Sequence, residues 1–445
     1  MKSVYLALNA LIICCCSISV AASQQLPSPV TDDAFVAVDA REVQLGRLLF
    51  WDPVLSGNKN ISCGTCHHPK FGTGDGVSLS IGEGGIGLGP QRRADPANMP
   101  EQRIPRNAPA LFNLGAKEFV SLFHDGRLEA DASRPSGIRT PLDDDMMMGF
   151  SGVLSAQSMF PVLSADEMAG HYNENDIAKA VRRGVITGEG GAWDIISRRV
   201  ANIEAYQDMF DDFDQEIADG KPIDFTDISD AIAAFIAFEW RSDNSAFDLY
   251  LRGEGKMSAK ALAGMSLFYG KAQCGTCHSG VFQTDHHFHA MGVPQIGPGK
   301  AARFESHSRD TGRMRVTGNP DDAYAFRTPS LRNVTLTAPY GHSGAYRDLK
   351  SFVEQHLAPA QAIENFDQSQ VVFPPFEATK SDWAALEDSQ EAMAIAKAAA
   401  RPSIELQELE IDQLLAFLSS LTDLEGAEGR LGVPSQVPSG LPVDQ

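Results

Sequence analysis

Cys63-Gly64-Thr65-Cys66-His67 and Cys274-Gly275-Thr276-Cys277-His278 are one five-residue string, CGTCH, written twice in the same chain. Two thiols three residues apart with a histidine directly behind them match the attachment signature of c-type haem. One turn of chain lets both sulfurs reach the vinyl groups of a single porphyrin, and it holds the imidazole beneath the iron. A chain of this composition contains about 0.003 such strings by chance, so two are a pattern. The rival reading of each Cys-x-x-Cys is a redox dithiol or half of a zinc site, and one zinc ion could take all four thiolates. The repeated His67 and His278 favour two covalently bound haems.

The sequence around the strings also repeats. The first copy runs Gly46-x-x-Leu49-Phe50, CGTCH, Pro109-x-Leu111-x-Asn113 and His124-x-Gly126. The second runs Gly264-x-x-Leu267-Phe268, CGTCH, Pro329-x-Leu331-x-Asn333 and His342-x-Gly344. Helical spacing of apolar residues covers Arg41–Trp51 up to the breaker Pro53, and Ile228, Ile232, Phe235 and Phe238 stripe another helix. Ser258 caps a third helix that Gly270 ends, and a fourth covers Glu405–Leu421 after Pro402. No strong series of strands stands out. The expected fold is all-α: two cytochrome-c-like haem domains related by internal duplication, with a helical insertion between the haem modules. The boundaries read as 1–22 for a signal peptide and 23–243 for the N-terminal domain with the insertion. The C-terminal domain covers 244–425 and an irregular, proline-rich tail 426–445, with the join between domains near Arg241–Asn244.

Composition bounds the function. The 445 residues hold 37 Lys+Arg against 58 Asp+Glu, a net charge of −21. A surface that acidic argues against nucleic acid or anionic membrane as the main partner and suits a basic protein. Of seven cysteines, the three outside the CGTCH strings, Cys14, Cys15 and Cys16, lie in the apolar run Val4–Val20, so no disulfide framework remains. Lys2, that run and the small residues Ala21-Ala22-Ser23 read as a secretory signal. An anchor helix is the alternative, but the run is short for one; a lipoprotein site at Cys14 is disfavoured by bulky Ile13. With no second segment apolar enough to span a bilayer, the mature chain is expected to be soluble and exported to the periplasm.

These strings, together with GRLLFWDPVLSGNKNISCGTCHHP, SIGEGG, RNAPALFN, FHDGR, CGTCHSGVFQTD and FRTPSLRNVTLTAPYGHSGAYRDL, resemble the bacterial di-haem cytochrome c peroxidase family, which includes the MauG proteins. The resemblance implies two c-type haems, the N-terminal one meeting hydrogen peroxide and the C-terminal one passing it electrons from a small soluble cytochrome c or cupredoxin. It implies a calcium ion between the domains, held partly by backbone oxygens of the TAPY segment, here Thr337 and Pro339, and it allows a homodimer.

The same resemblance directs attention to the sixth coordination position of each iron. His356, fourteen residues past His342, stands where the family places its distal ligand for the C-terminal haem, Met in many peroxidases and Tyr in MauG; Tyr340 is a weaker substitute. In the first copy the same offset from His124 reaches Ile138, which cannot ligate. Glu83 replaces the loop histidine that closes resting family peroxidases. The N-terminal iron, carried by Cys63, Cys66 and His67, is therefore expected to be open. The family's distal Gln and Glu are missing, with Leu122 and Ala132 in their places. Glu83, Glu129, Asp131 and His124 are the candidate substitutes, His124 being equally readable as a structural histidine. Phe112 aligns with the aromatic between the haems. Arg106, Arg313 and Arg327 are candidates for pairing with haem propionates. His286, His287 and His289, and the run Met146–Met148, read more readily as structural. Three activities remain open at this level: a peroxidase, a MauG-type enzyme that oxidises residues of a partner protein, and a non-catalytic electron carrier.

Overall fold

The computed structural model describes residues 26–300, 305–376, 381–399 and 401–445; the proposed signal segment, 1–22, lies outside them. Six helices frame the two CGTCH turns. They are α1 (Ala40–Trp51), α2 (Val153–Ser158), α3 (Phe225–Glu239), α4 (Ala259–Phe268), α5 (Leu349–Leu357) and α6 (Glu408–Ser419). Their starts follow from local chemistry. The side chains of Asp39, Ser258 and Asp348 each accept a first-turn backbone N–H that the helix leaves unpaired. The expected helices at Arg41–Trp51, after Ser258 and within Glu405–Leu421 all form, the last three residues shorter at its start and two shorter at its end.

The helices cross in two matching pairs. In α1, a Cβ added to Gly46 would lie 1.7 Å from the Ala231 carbonyl oxygen of α3 and 3.0 Å from Phe235 Cβ. In α4, a Cβ on Gly264 would lie 1.8 Å from the Gln413 carbonyl oxygen of α6 and 3.0 Å from Phe417 Cβ. Only hydrogen fits between backbones that close, so each crossing requires glycine. A second parallel closes each unit. Asn113 and Asn333 both sit at φ 60°, a left-handed conformation that asparagine tolerates. Their backbone N–H groups donate to the carbonyls of Trp240 and Leu421, both at 3.1 Å, just past α3 and α6. Their side-chain oxygens accept the N–H groups of Ser242 and Asp423, both at 2.7 Å.

Two apolar clusters follow these pairs. One gathers Leu49, Phe50, Trp51, Trp193, Phe235 and Trp240 with many neighbours; the other gathers Phe247, Phe268, Leu414, Phe417 and Leu421. Sheet is sparse. Three small antiparallel sheets, none with a strand longer than three residues, decorate the loops: Gly85–Ile86 with Arg93–Ala94, Ser121–Leu122 with Leu128–Ala130 and Ile138–Arg139, and Phe288–Ala290 with Ala325–Arg327.

The tail is irregular after the short helix Leu424–Glu428, but it is fastened. It runs back over the first cluster, where Val437 is buried. The Glu239 carboxylate accepts the N–H groups of Leu431 and Gly432 at 2.7 and 2.8 Å. Ser439 bonds Asp52 at 2.6 Å, and Asp444 accepts the hydroxyl of Thr65, inside the first CGTCH, at 2.5 Å.

A methyl group at either crossing must push two backbones apart. Gly264→Ala is expected to cost at least about 1–3 kcal/mol, read as a lowered midpoint in denaturant unfolding. An unchanged midpoint would show that the pair slides without strain.

Candidate haem centres

Each CGTCH turn opens on a cavity. The first, about 150 Å³, is lined by Cys63, Cys66 and His67 together with Arg106, His124, Arg127, Gln157, Glu167, Met168 and Lys300. The second, about 680 Å³, is lined by Cys274, Cys277, His278 and His356 with Phe112, Tyr340 and Arg327. The cavities adjoin, sharing Asn107, Pro109, Phe123, His124 and Gln157. The four thiols therefore fall in two separate places, and one zinc ion cannot gather them.

The donor sets fit haem. His67 Nδ1 donates to the Thr73 carbonyl at 3.0 Å, and His278 Nδ1 donates to the Gln283 carbonyl at 3.2 Å. The Pro109 and Pro329 carbonyls, from the repeated Pro-x-Leu-x-Asn motif, act as further backbone acceptors. A proton fixed on Nδ1 leaves Nε2 with a free lone pair, the tautomer a metal requires. Burial pushes His67 below the ordinary imidazole range and His278 down to about 4, so both rings are neutral at pH 7. Burial also pushes Cys63, Cys66 and Cys274 up to about 12. The first pair are thus protonated thiols in apolar surroundings, unlike the activated thiolate of a redox dithiol; in the second string Cys277 is lowered by its bond to His289.

His356 lies in the last turn of α5. Its Nδ1 donates to the Phe352 carbonyl one turn back at 2.9 Å, freeing Nε2. It lines the His278 cavity, close enough for its charge to depress His278. Tyr340 lines the same cavity but stacks on Phe352 with ring centres 5.7 Å apart.

The arginines divide by partner. Arg106 is held by two buried carboxylates, Asp125 at 2.7 Å and Asp310 at 2.7 and 2.8 Å. Arg313 pairs with Glu129 at 2.8 Å. Arg327 has only long bonds to the Phe123 and Thr328 carbonyls, at 3.4 and 3.3 Å, and no carboxylate partner among the described residues. Burial pushes it down to about 10. Of the three propionate candidates, Arg327 alone waits for an anion.

The expected distal acids are placed elsewhere. Glu83 does not line either cavity; its Oε1 accepts the amides of Asn58, Asn60 and Asn98 at 3.0, 2.8 and 2.9 Å. Glu129 is taken by Arg313 and Arg139, and Asp131 by Ser133 at 2.6 Å, both beside the three-stranded sheet and outside the cavities. The three-stranded sheet carries Glu129 and its neighbours outside both cavities. His124 does reach both cavities, held neutral by burial and by the charges of Arg106, His342 and Arg327. Sequence spacing missed Gln157, Glu167 and Lys300, the first two lying ten residues apart and the third coming from the other half of the chain. Thr337 and Pro339 line the larger cavity. Among the described residues, the one cluster of three or more His, Cys, Asp or Glu side chains at ligand distance is Cys277, Asp285 and His289. His286 pairs with Glu118, and Met146 is packed in the first apolar cluster.

Residues 40–256 match the family model described as di-haem cytochrome c peroxidase. The chain belongs to the di-haem cytochrome c peroxidase family. It is 29% identical over 329 residues to cytochrome c551 peroxidase of Pseudomonas aeruginosa, covering 74% of this chain and 75% of the relative. To methylamine utilization protein MauG of Methylorubrum extorquens it is 28% identical over 322 residues, covering 71% and 68%. A crystal structure of a MauG-like protein associated with microbial copper homeostasis superposes with TM-score 0.55 at 26% identity, covering 92% of this chain and 96% of that one. The diheme peroxidase BthA of Burkholderia thailandensis shares the fold at TM-score 0.57 and 18% identity, covering 94% of both chains. As a member of this peroxidase family the chain is an oxidoreductase with two c-type haems. Among its described residues no helix is long and apolar enough to cross a membrane.

The Arg106 cluster between the halves sets an acid limit. Burial alone would raise its carboxyls, but Arg106 overcomes this and holds Asp125 down to about 2 and Asp310 lower still. Carboxyls depressed on folding add stability above their ordinary value near 3.8. That stability is lost as pH falls through the depressed values. Asp310→Asn, which leaves Arg106 short of a buried partner, is expected to cost about 3 kcal/mol at neutral pH. It should also flatten the loss of stability below pH ~4, measured by denaturant unfolding across pH.

Proposed function

We propose that this protein is an exported di-haem peroxidase that reduces hydrogen peroxide with electrons from a small soluble cytochrome c or cupredoxin. Its two haem units are related by duplication, meet near Arg241–Asn244, and are separated by the inserted segment that contains α2. The observation that carries the reading is the asymmetry of the cavities: His356 lines the cavity of His278 from a helix, whereas among the described residues no helical histidine lines that of His67. Met168, the thioether in the first cavity, is packed into the apolar cluster. Cys63, Cys66 and His67 would hold the haem that meets peroxide; Cys274, Cys277, His278 and His356 would hold the one that relays electrons. When bound, the haems supply the redox chemistry. The chain's own part is to fix both proximal imidazoles through the Thr73 and Gln283 carbonyls, to offer Arg327 to a propionate, and to keep the space between the sites largely apolar. Two imidazoles on the second iron would favour its ferric state over a His/Met pair. The role of Thr337 and Pro339 toward calcium belongs to this proposal, as does a homodimer.

A MauG-type reaction, oxidation of a partner protein's residues, is the second reading. The likeness to MauG and to the MauG-like copper-associated protein over most of both chains supports it.

Electron paramagnetic resonance of the ferric protein tests the asymmetry. One high-spin signal that converts on adding cyanide and one low-spin signal that does not are expected, with turnover of peroxide when a reduced donor is present. His356→Ala should turn the second signal high-spin. Two low-spin signals indifferent to cyanide would make the protein an electron carrier. A persistent oxidised state discharged only by a protein partner would select the MauG-type reaction.

A further inference from the structure

This inference rests on the haem reading of the first centre and does not depend on peroxide chemistry. The electron density that an imidazole gives to a metal depends on the hydrogen bond made by its other nitrogen, so whatever fixes that acceptor tunes the metal. For His67 the acceptor is the Thr73 carbonyl, at 3.0 Å. We propose that the Thr73 hydroxyl is the positioning group of the first centre. It staples together the two segments whose carbonyls serve His67 Nδ1, and so sets how strongly that imidazole supports its iron.

The backbone at Thr73 is strained. It sits at φ 62°, in the left-handed region. A β-branched residue is a genuine outlier there, and such a conformation persists only where the surroundings over-determine it. Three fastenings do so. The Thr73 N–H donates to the His68 carbonyl at 3.1 Å and the His68 N–H to the Gly74 carbonyl at 2.9 Å, closing the loop on itself. Gly72, also at φ 62°, lies against the other half of the chain, where an added Cβ would be 2.2 Å from the Leu336 carbonyl oxygen. Thr73 Oγ1 accepts the N–H of Leu111 at 2.8 Å. Glycine would adopt the same backbone without strain, so what threonine adds is the hydroxyl.

That last bond joins two parts of one site. Leu111 stands two residues after Pro109, whose carbonyl is the other backbone acceptor at His67. Thr73 thus offers its carbonyl to the imidazole while its side chain holds the segment that bears the second carbonyl. The residue is fully buried, so water does not compete for either bond.

The second centre is built otherwise. Gln283 takes the equivalent place, likewise buried and left-handed, at φ 49°. Its carbonyl accepts from His278 at the longer 3.2 Å, and its amide turns back to the Gly280 carbonyl at 3.2 Å. The staple falls instead to Thr284, whose hydroxyl donates to the Thr328 carbonyl at 2.7 Å. Acceptor and anchor are one residue in the first centre and two in the second. A proximal bond held this tightly keeps His67 electron-rich, which favours the higher oxidation states of the iron it holds.

Three variants separate shape, strain and hydroxyl. Thr73→Val keeps the branched shape and loses the hydroxyl, Thr73→Gly relieves the strain and loses it, and Thr73→Ser keeps it. On each fully loaded protein both haem potentials are measured by redox titration, and resonance Raman reads the iron–histidine stretch of the reduced first centre. In the Val and Gly variants the first potential should rise and the stretching frequency fall, with the second potential unmoved and the Ser variant like the wild type. Their rate with peroxide should fall about 10-fold. Unchanged potential and stretch in Val and Gly overturn the proposal. Equal shifts at both haems overturn it too, since they report a general loosening, and so does a Ser variant displaced as far as Val. If Val does not load haem, the unstrained Gly variant carries the comparison. Should the wild type fail to react with peroxide, the peroxidase reading falls, and the potentials still decide this one.

Discussion

The contact on which the rest of this molecule depends is a backbone touching a backbone. At Gly46 and again at Gly264 one helix lies against the carbonyl of another with no side chain between. The CGTCH turns follow these two helices in the chain, twelve residues past the end of α1 and six past the end of α4. The asparagines at positive φ then tie the chain after each Pro-x-Leu-x-Asn to the far end of the partner helix. Two short, rigid clasps thus hold a histidine, two thiols and a set of accepting carbonyls in one arrangement, twice.

Similar clasps surround unlike cavities. The second is larger, and on the side of α5 it is apolar apart from His356; among its arginines, Arg327 has only long bonds to backbone carbonyls. The first is small and charged, with arginines and aspartates compensating one another and a glutamate and a lysine left facing across the space. A wet, titratable pocket suits the making and breaking of O–H bonds. A dry one with two fixed imidazoles suits passing an electron with little rearrangement. His124 and Gln157, present in both walls, are the points where the two environments touch.

Much of this was legible in the sequence because it is local or repeated. Haem attachment is a five-residue pattern; helix starts are set by single capping side chains; the paired glycines and asparagines declare themselves by recurring at equivalent places. His356 was singled out by the family resemblance, which points fourteen residues past His342. What the sequence could not show is assembled across distance. Glu167 sits in a turn with π-type hydrogen bonding that no periodicity announces, and Lys300 arrives from the other half of the chain. Glu83, Glu129 and Asp131 were plausible from position, but three asparagine amides hold one oxygen of Glu83, and arginines and a serine hold the other two acids.

The fastened tail has a consequence for biosynthesis. Asp444 grips Thr65, which stands between the two thiols of the first attachment turn, and Ser439 grips Asp52 nearby. Those residues are translated after every other part of the first cluster. The strap can therefore close over that turn only once the rest of the cluster has been made.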